Sequence, residues 1–256
     1  MTALFALFSA PRRFRPALAL LLELTLGLTL GLALTGCGSY GSLTTMQVPR
    51  DRHGQTDPQA AYLIYVHDWT IEKLSYGPRQ DRYGLFLYET NIKALRSRGF
   101  TVLGELRNKH ESVDTVAARV AASVNGLLAA GVPADHVSVA GIGKGGRVAL
   151  AASTLVARPE VRYALLGACG QGRLSIVDKE TAREYAPNLS GRFLSIRDRD
   201  DQEAGSCATF FASAPAGTSF EEVQPQTGLG HGLFHTPRPE WIDPLARLAG
   251  LPSAKD

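Results

Sequence analysis

The sequence has no marked excess of one charge: 27 lysines and arginines face 24 aspartates and glutamates, a net charge of +3. That balance gives no electrostatic ground for expecting a nucleic-acid partner. Cysteine is scarce, at three residues, and nowhere do His, Cys, Asp and Glu recur at ligand spacing, so neither a metal nor a cofactor is expected. The aspartates at 198, 200 and 201 do not follow a calcium-loop pattern. There is no internal repeat, and compositional bias is confined to one apolar run, Ala17 to Leu34, broken only by Glu23.

That run defines the first segment. Arg12, Arg13 and Arg15 precede it, and it ends in Leu34-Thr35-Gly36-Cys37, which resembles a bacterial lipobox. Such a site needs small residues before the cut and a thiol after it, because the thiol takes the diacylglycerol. Residues 1–36 are therefore expected to be a lipoprotein signal peptide, with Cys37 lipidated and the membrane reached through that lipid. Removing the segment takes away three arginines and one glutamate, so the net charge falls from +3 to +1. Gly38 behind the cysteine favours the periplasmic face of the outer membrane in the cell envelope. Residues 37–59 read as a tether, polar and without periodicity, with a random-coil reach of about 25 Å.

Residues 60–256 alternate short apolar runs with amphipathic stretches. Strands are expected at 61–66, 101–106, 137–140, 161–166, 192–196 and 220–223, and helices at 86–98, 113–130, 144–157 and 239–249. This alternation implies one α/β domain: a three-layer sandwich around a mostly parallel sheet, with ligands at the carboxyl ends of the strands.

The stretch Val139-Ala-Gly-Ile-Gly-Lys-Gly-Gly-Arg-Val-Ala-Leu150 stands between a strand and a helix. A nucleotide-phosphate loop would need glycine at Ser138 and Ser or Thr at Gly145, and both are missing. A dinucleotide fingerprint fits the glycines at 141, 143 and 146. However, the next strand ends in Gly, Ala, Cys and Gln instead of the acid that would hold a ribose. A nucleophile elbow requires small residues two before and two after the nucleophile, which Gly141 and Gly145 supply. An acidic loop, RDRDDQEAGSC, and a histidine loop, TGLGHGLFHTPRPEW, then follow in the order the elbow reading requires. The nucleophile position itself is Gly143, which has no side chain to acylate.

Together with YLIYVHD, RGFTVLGELR, LLAAGVPADHVSVAGIGKGG and LLGACG, these segments resemble small exported α/β-hydrolases with an elbow of the form G-x-S-K-G-G. The resemblance spans roughly residues 60–248. It implies a site built from Asp201 as the acid, with Asp198 and Asp200 as competitors, and His231 as the base, with His235 as the fallback. The backbone N–H groups of Lys144 and Asp68 are the implied oxyanion donors, His67 shapes the loop between them, and the Lys144 side chain is expected to reach solvent. Asp68 departs from the His-Gly usual after the first strand, as Gly143 departs from serine.

Cys169 and Cys207 should follow neighbouring parallel strands. They are a disulfide candidate in an exported protein, the alternative being two buried thiols. Cys169 as a substitute nucleophile is disfavoured by Gln171, which stands where an elbow demands a small residue. Three functional expectations follow: a pseudoenzyme or binding module for an unspecified small molecule or peptide, a slow carboxylic-ester-type hydrolase using the His/Asp pair to activate water, or a dinucleotide-binding protein.

Overall fold

The computed structural model describes residues 47–72, 79–104, 107–108, 110–170 and 183–252. The expected signal segment, Cys37 and the start of the tether lie outside them. The main sheet has six strands, all parallel, in the order β4-β1-β5-β6-β7-β8. They are β1 (Ala61–Val66), β4 (Phe100–Gly104), β5 (Val137–Ile142), β6 (Arg162–Leu166), β7 (Arg192–Ile196) and β8 (Ser219–Val223). The described helices are α1 (Trp69–Glu72), α2 (Tyr88–Ser97), α3 (Val113–Ala129), α4 (Lys144–Val156), α5 (Ala208–Phe211) and α6 (Pro239–Leu248).

Strand periodicity divides the core into two layers. In β1, Tyr62, Ile64 and Val66 point to one face, where Val116, Val120, Val124 and Leu127 of α3 and Val148 and Leu150 of α4 cover them. Leu63 and Tyr65 point to the other face, towards Leu95 of α2 and Trp241 and Leu245 of α6. The same alternation runs through β5, β6 and β7, which are buried on both sides and therefore read as nearly continuous apolar runs. Ser112 caps α3 by accepting the Thr115 N–H at 3.1 Å, and the helix ends at Gly131.

The elements expected from periodicity are present, with ends shifted by one or two residues; strand 101–106 is described only from Phe100 to Gly104. The antiparallel pair β2 (Arg79–Asp81) and β3 (Gly84–Phe86) was not anticipated, nor were the single-turn helices α1 and α5. Such elements are too short for a period to register.

The strand order places the site. From β1 the chain steps outward to β4, then returns through α3 to β5 on the other side of β1. The carboxyl ends of β1 and β5 are thus the point where the winding reverses, and a crevice opens there. Val66 pairs in register with Gly141, so Asp68 and Gly143, each two residues further on, leave the sheet side by side.

Candidate functional site

Gly143 turns the chain from β5 into α4 with φ 51° and ψ −118°, in the positive-φ region that L side chains avoid. Small neighbours are obligatory here. A Cβ on Gly141 would lie 2.0 Å from the Gly145 carbonyl oxygen, and one on Gly145 would lie 2.2 Å from that of Val66. The backbone is therefore that of a nucleophile elbow, although the residue at its tip carries nothing.

What occupies that place is Asp68. A Cβ on Gly143 would fall 2.3 Å from Asp68 Oδ1 and 2.7 Å from its Cγ. The Lys144 backbone N–H donates to Oδ1 at 3.0 Å, and the Thr70 hydroxyl donates to Oδ2 at 3.1 Å. The expectation for Asp68 concerned its backbone; it is the side chain that meets the elbow. The helix N-terminus thereby already holds a carboxylate. A dinucleotide pyrophosphate approaching that terminus would meet like charge.

The acid and base come together. His231 Nδ1 donates to Asp201 Oδ2 at 3.0 Å, and Asp201 Oδ1 accepts the N–H groups of Glu203 at 2.8 Å and Ala204 at 3.0 Å. Both residues are buried, and His231 Nε2 has no hydrogen-bond partner among the described residues. Burial disfavours the charged ring. The hydrogen bond to Asp201 and the charges of Asp201, Asp68 and Asp81 outweigh it, so the His231 pKa lies above its usual value.

The competing aspartates do other work. Asp198 is buried and accepts from Asp200 N–H at 2.8 Å and from the N–H and hydroxyl of Thr227, which ties the acid loop to the histidine loop. Asp200 is exposed. His235 packs its ring against Phe86, with centroids 4.9 Å apart, and burial holds its pKa down.

One expectation is overturned: the Lys144 side chain does not simply reach solvent. Its Nζ donates to Glu72 Oε2 at 2.9 Å and to the Glu111 carbonyl at 3.1 Å. Glu72 also accepts from Arg107 Nε at 2.8 Å, and Arg107 and Glu72 are both buried. The Arg107 backbone N–H donates to His67 Nε2 at 3.0 Å, so Nε2 must be the unprotonated nitrogen. His67 Nδ1 correspondingly donates to the Asp68 carbonyl at 2.7 Å. Burial, and then the Arg107 charge, hold this neutral ring's pKa down to about 3. Sequence reading missed Glu72, Thr70 and Arg107. Arg107, in the polar sequence Arg-Asn-Lys, resembles surface.

Cys169 and Cys207 form a disulfide with Cα atoms 5.2 Å apart, linking the end of β6 to the start of α5. The Gly205 N–H also donates to the Cys169 carbonyl, so the segment carrying Asp201 is held at both levels. Cys169 is thus not a free thiol that could replace the serine. The pair β2–β3 lies over the histidine turn. The Tyr83 ring is 5.6 Å from His231, and a Cβ on Gly232 would lie 2.6 Å from the Tyr83 carbonyl. Among the described residues no group of acidic, histidine or cysteine side chains could hold a metal ion.

No family model matches the sequence, and no curated protein matches it either. Solved structures do. SOBER1 of Arabidopsis thaliana superposes with a TM-score of 0.50 at 13% identity, covering 75% of this chain and 98% of that one. An inhibited esterase B from Lactobacillus rhamnosis gives 0.51 at 16%, covering 77% and 79%. An acetyl xylan esterase from Paenibacillus sp. R4 gives 0.50 at 15%, covering 79% and 77%. The fold is that of the α/β-hydrolases. Within that α/β-hydrolase fold, Gly143, Asp201 and His231 follow the carboxyl ends of β5, β7 and β8, on the same rim of the sheet. The mostly parallel three-layer sandwich expected from the sequence is the one observed.

Proposed function

We propose that this protein is a lipid-anchored envelope hydrolase that works without a serine, with His231 as its proton carrier and Asp201 orienting it. The observation that carries this reading is the His231–Asp201 bond at 3.0 Å together with the buried, unpartnered Nε2. A ring held in one tautomer with its other nitrogen free is what general acid–base catalysis requires. Buried polar groups are otherwise nearly always paired, so an unpaired one calls for a functional explanation. Export is supported by the lipobox-like Leu34–Cys37 and by the Cys169–Cys207 disulfide, since such bonds persist in oxidising compartments. Lipid on Cys37 and an outer-membrane location belong to the same proposal.

The test compares the full chain with His231→Gln against carboxylic esters, lactones and epoxides. Turnover should fall by at least about 10²-fold in the variant for whichever class is accepted. Equal rates in the two proteins for every class would end the hydrolase reading.

A second reading, a pseudoenzyme or binding module, is favoured by Asp68. Acyl substrates need the Lys144 N–H for their developing oxyanion, and Asp68 Oδ1 already accepts it. Towards carboxylic esters, therefore, the two readings agree on inactivity. They differ over whether His231 supports turnover of anything else.

A further inference from the structure

The hydrolase reading gives His231 a role but leaves Asp68 as an obstruction. Three features make it more than that. Its carboxylate occupies the place of the absent side chain on Gly143. Each of its oxygens has a separate, directed donor, Lys144 N–H on Oδ1 and Thr70 Oγ1 on Oδ2. It also lies close enough to His231 for its charge to act on that ring. Resting on the reading of His231 as proton carrier, we propose that Asp68 is the nucleophile of this site and that its substrate is an epoxide, opened at a saturated carbon.

The geometry selects the substrate class. Attack by a carboxylate on an acyl carbon would give a mixed anhydride and would demand an oxyanion donor that Oδ1 already uses. Attack on a saturated ring carbon gives an ordinary ester and leaves Oδ1 on the Lys144 N–H. In the first step Asp68 Oδ2 forms a bond to the epoxide carbon and the ring C–O bond breaks. The released alkoxide takes a proton from His231 Nε2, and the ring becomes neutral. An alkoxide needs that proton, and the three carboxylates around His231 favour the protonated ring that supplies it.

In the second step neutral His231 takes a proton from water while the water oxygen attacks Asp68 Cγ. The carbonyl electrons move onto Oδ1, whose negative charge is met by the Lys144 N–H. Collapse breaks the bond between Cγ and the alkyl oxygen, and the diol leaves with a proton from His231. The carboxylic acid so formed returns its proton to His231, restoring the starting charges. Epoxide and water are consumed, a diol is produced, and no oxidant or reductant is needed. The elbow N–H thus serves the enzyme's own ester.

The test uses the full chain in detergent, in excess over styrene oxide, in heavy-oxygen water. The first-turnover diol should carry ordinary oxygen from Asp68, with one heavy oxygen appearing in the peptide containing Asp68. His231→Gln should stop at the ester and gain the mass of one epoxide on that peptide. Asp68→Asn, which can keep both hydrogen bonds, should form no adduct and lose more than about 10³-fold in turnover. First-turnover diol labelled from solvent, with no adduct in His231→Gln, would overturn the nucleophile and leave His231 as the base for direct water attack. Equal epoxide turnover in wild type and His231→Gln would overturn both. Absence of epoxide turnover and of adduct overturns the substrate class, even where another class is hydrolysed with dependence on His231.

Discussion

The carboxylate of Asp68 stands where a side chain at position 143 would begin, 2.3 Å from the Cβ that Gly143 lacks. The two residues therefore form one unit, and a side chain at position 143 has no room while Asp68 is present. Gly143→Ser should place a serine in positive-φ backbone and against Asp68, lowering stability by about 1–3 kcal/mol without creating ester hydrolysis. Combining it with Asp68→Gly removes the obstruction and frees the Lys144 N–H. The double variant should release a burst of p-nitrophenol from p-nitrophenyl butyrate and recover part of the lost thermal stability. A burst from Gly143→Ser alone would show that Asp68 yields easily and is not the elbow's occupant.

Much of this site is legible in the sequence, and the illegible part has a physical cause. Gly141, Gly145 and Gly146 announce a close backbone crossing, and the chain order puts Asp201 and His231 after it. Asp68 and Gly143 are 75 positions apart and meet only because β1 and β5 pair in register. No local period encodes that meeting. Arg107 presents the same difficulty: its partners Glu72 and His67 lie 35 and 40 residues away, so a buried ion pair looks like a charged turn. The hairpin over His231 escaped because its strands are three residues each, too short for a period to register.

Arg107 is buried against Glu72, whereas Arg98 meets Asp243 at a partly exposed surface. Removing Arg107 takes from buried Glu72 the more deeply buried of its two cationic partners and leaves it only Lys144. Arg107→Met should cost about 3 kcal/mol, the low end for breaking a buried pair, and Arg98→Ala less than about 1 kcal/mol. Urea midpoints at constant slope would measure both, and similar losses would contradict the burial argument.

The disulfide spans 38 residues and encloses the segment that carries Asp201. The chain-entropy argument gives a stabilisation of about 4 kcal/mol for a loop of that length. Cys169→Ala with Cys207→Ala should lower the melting temperature accordingly. It should also loosen the Asp201–His231 contact, which proton NMR of the Nδ1 hydrogen would report. An unchanged melt would mean that the Asp198–Thr227 contacts and the Gly205 N–H bond to the residue-169 carbonyl brace the acid loop without the disulfide.

The two buried histidines pull stability in opposite directions with pH. His67 has a native pKa near 3, below its unfolded value. Its contribution is complete above about pH 6.5 and drains as pH falls towards 3, because the unfolded chain takes a proton the native ring refuses. His231 has a raised native pKa. Its contribution is complete below about pH 6.5 and is lost as pH rises through the native value. Between pH 6 and 4 the unfolded state alone gains a proton at His67, a slope of about 1.4 kcal/mol per pH unit from that residue. His67→Gln can still donate to the Asp68 carbonyl and accept from Arg107 N–H, yet it cannot titrate. The variant should lose that share of the acid slope while keeping stability near wild type at pH 8, when unfolding is followed in urea at each pH. His231→Gln should leave the acid slope and flatten the decline above neutrality. If His67→Gln showed the wild-type slope between pH 6 and 4, the acid sensitivity would belong to the carboxylates, and the neutral His67 tautomer would have to be abandoned.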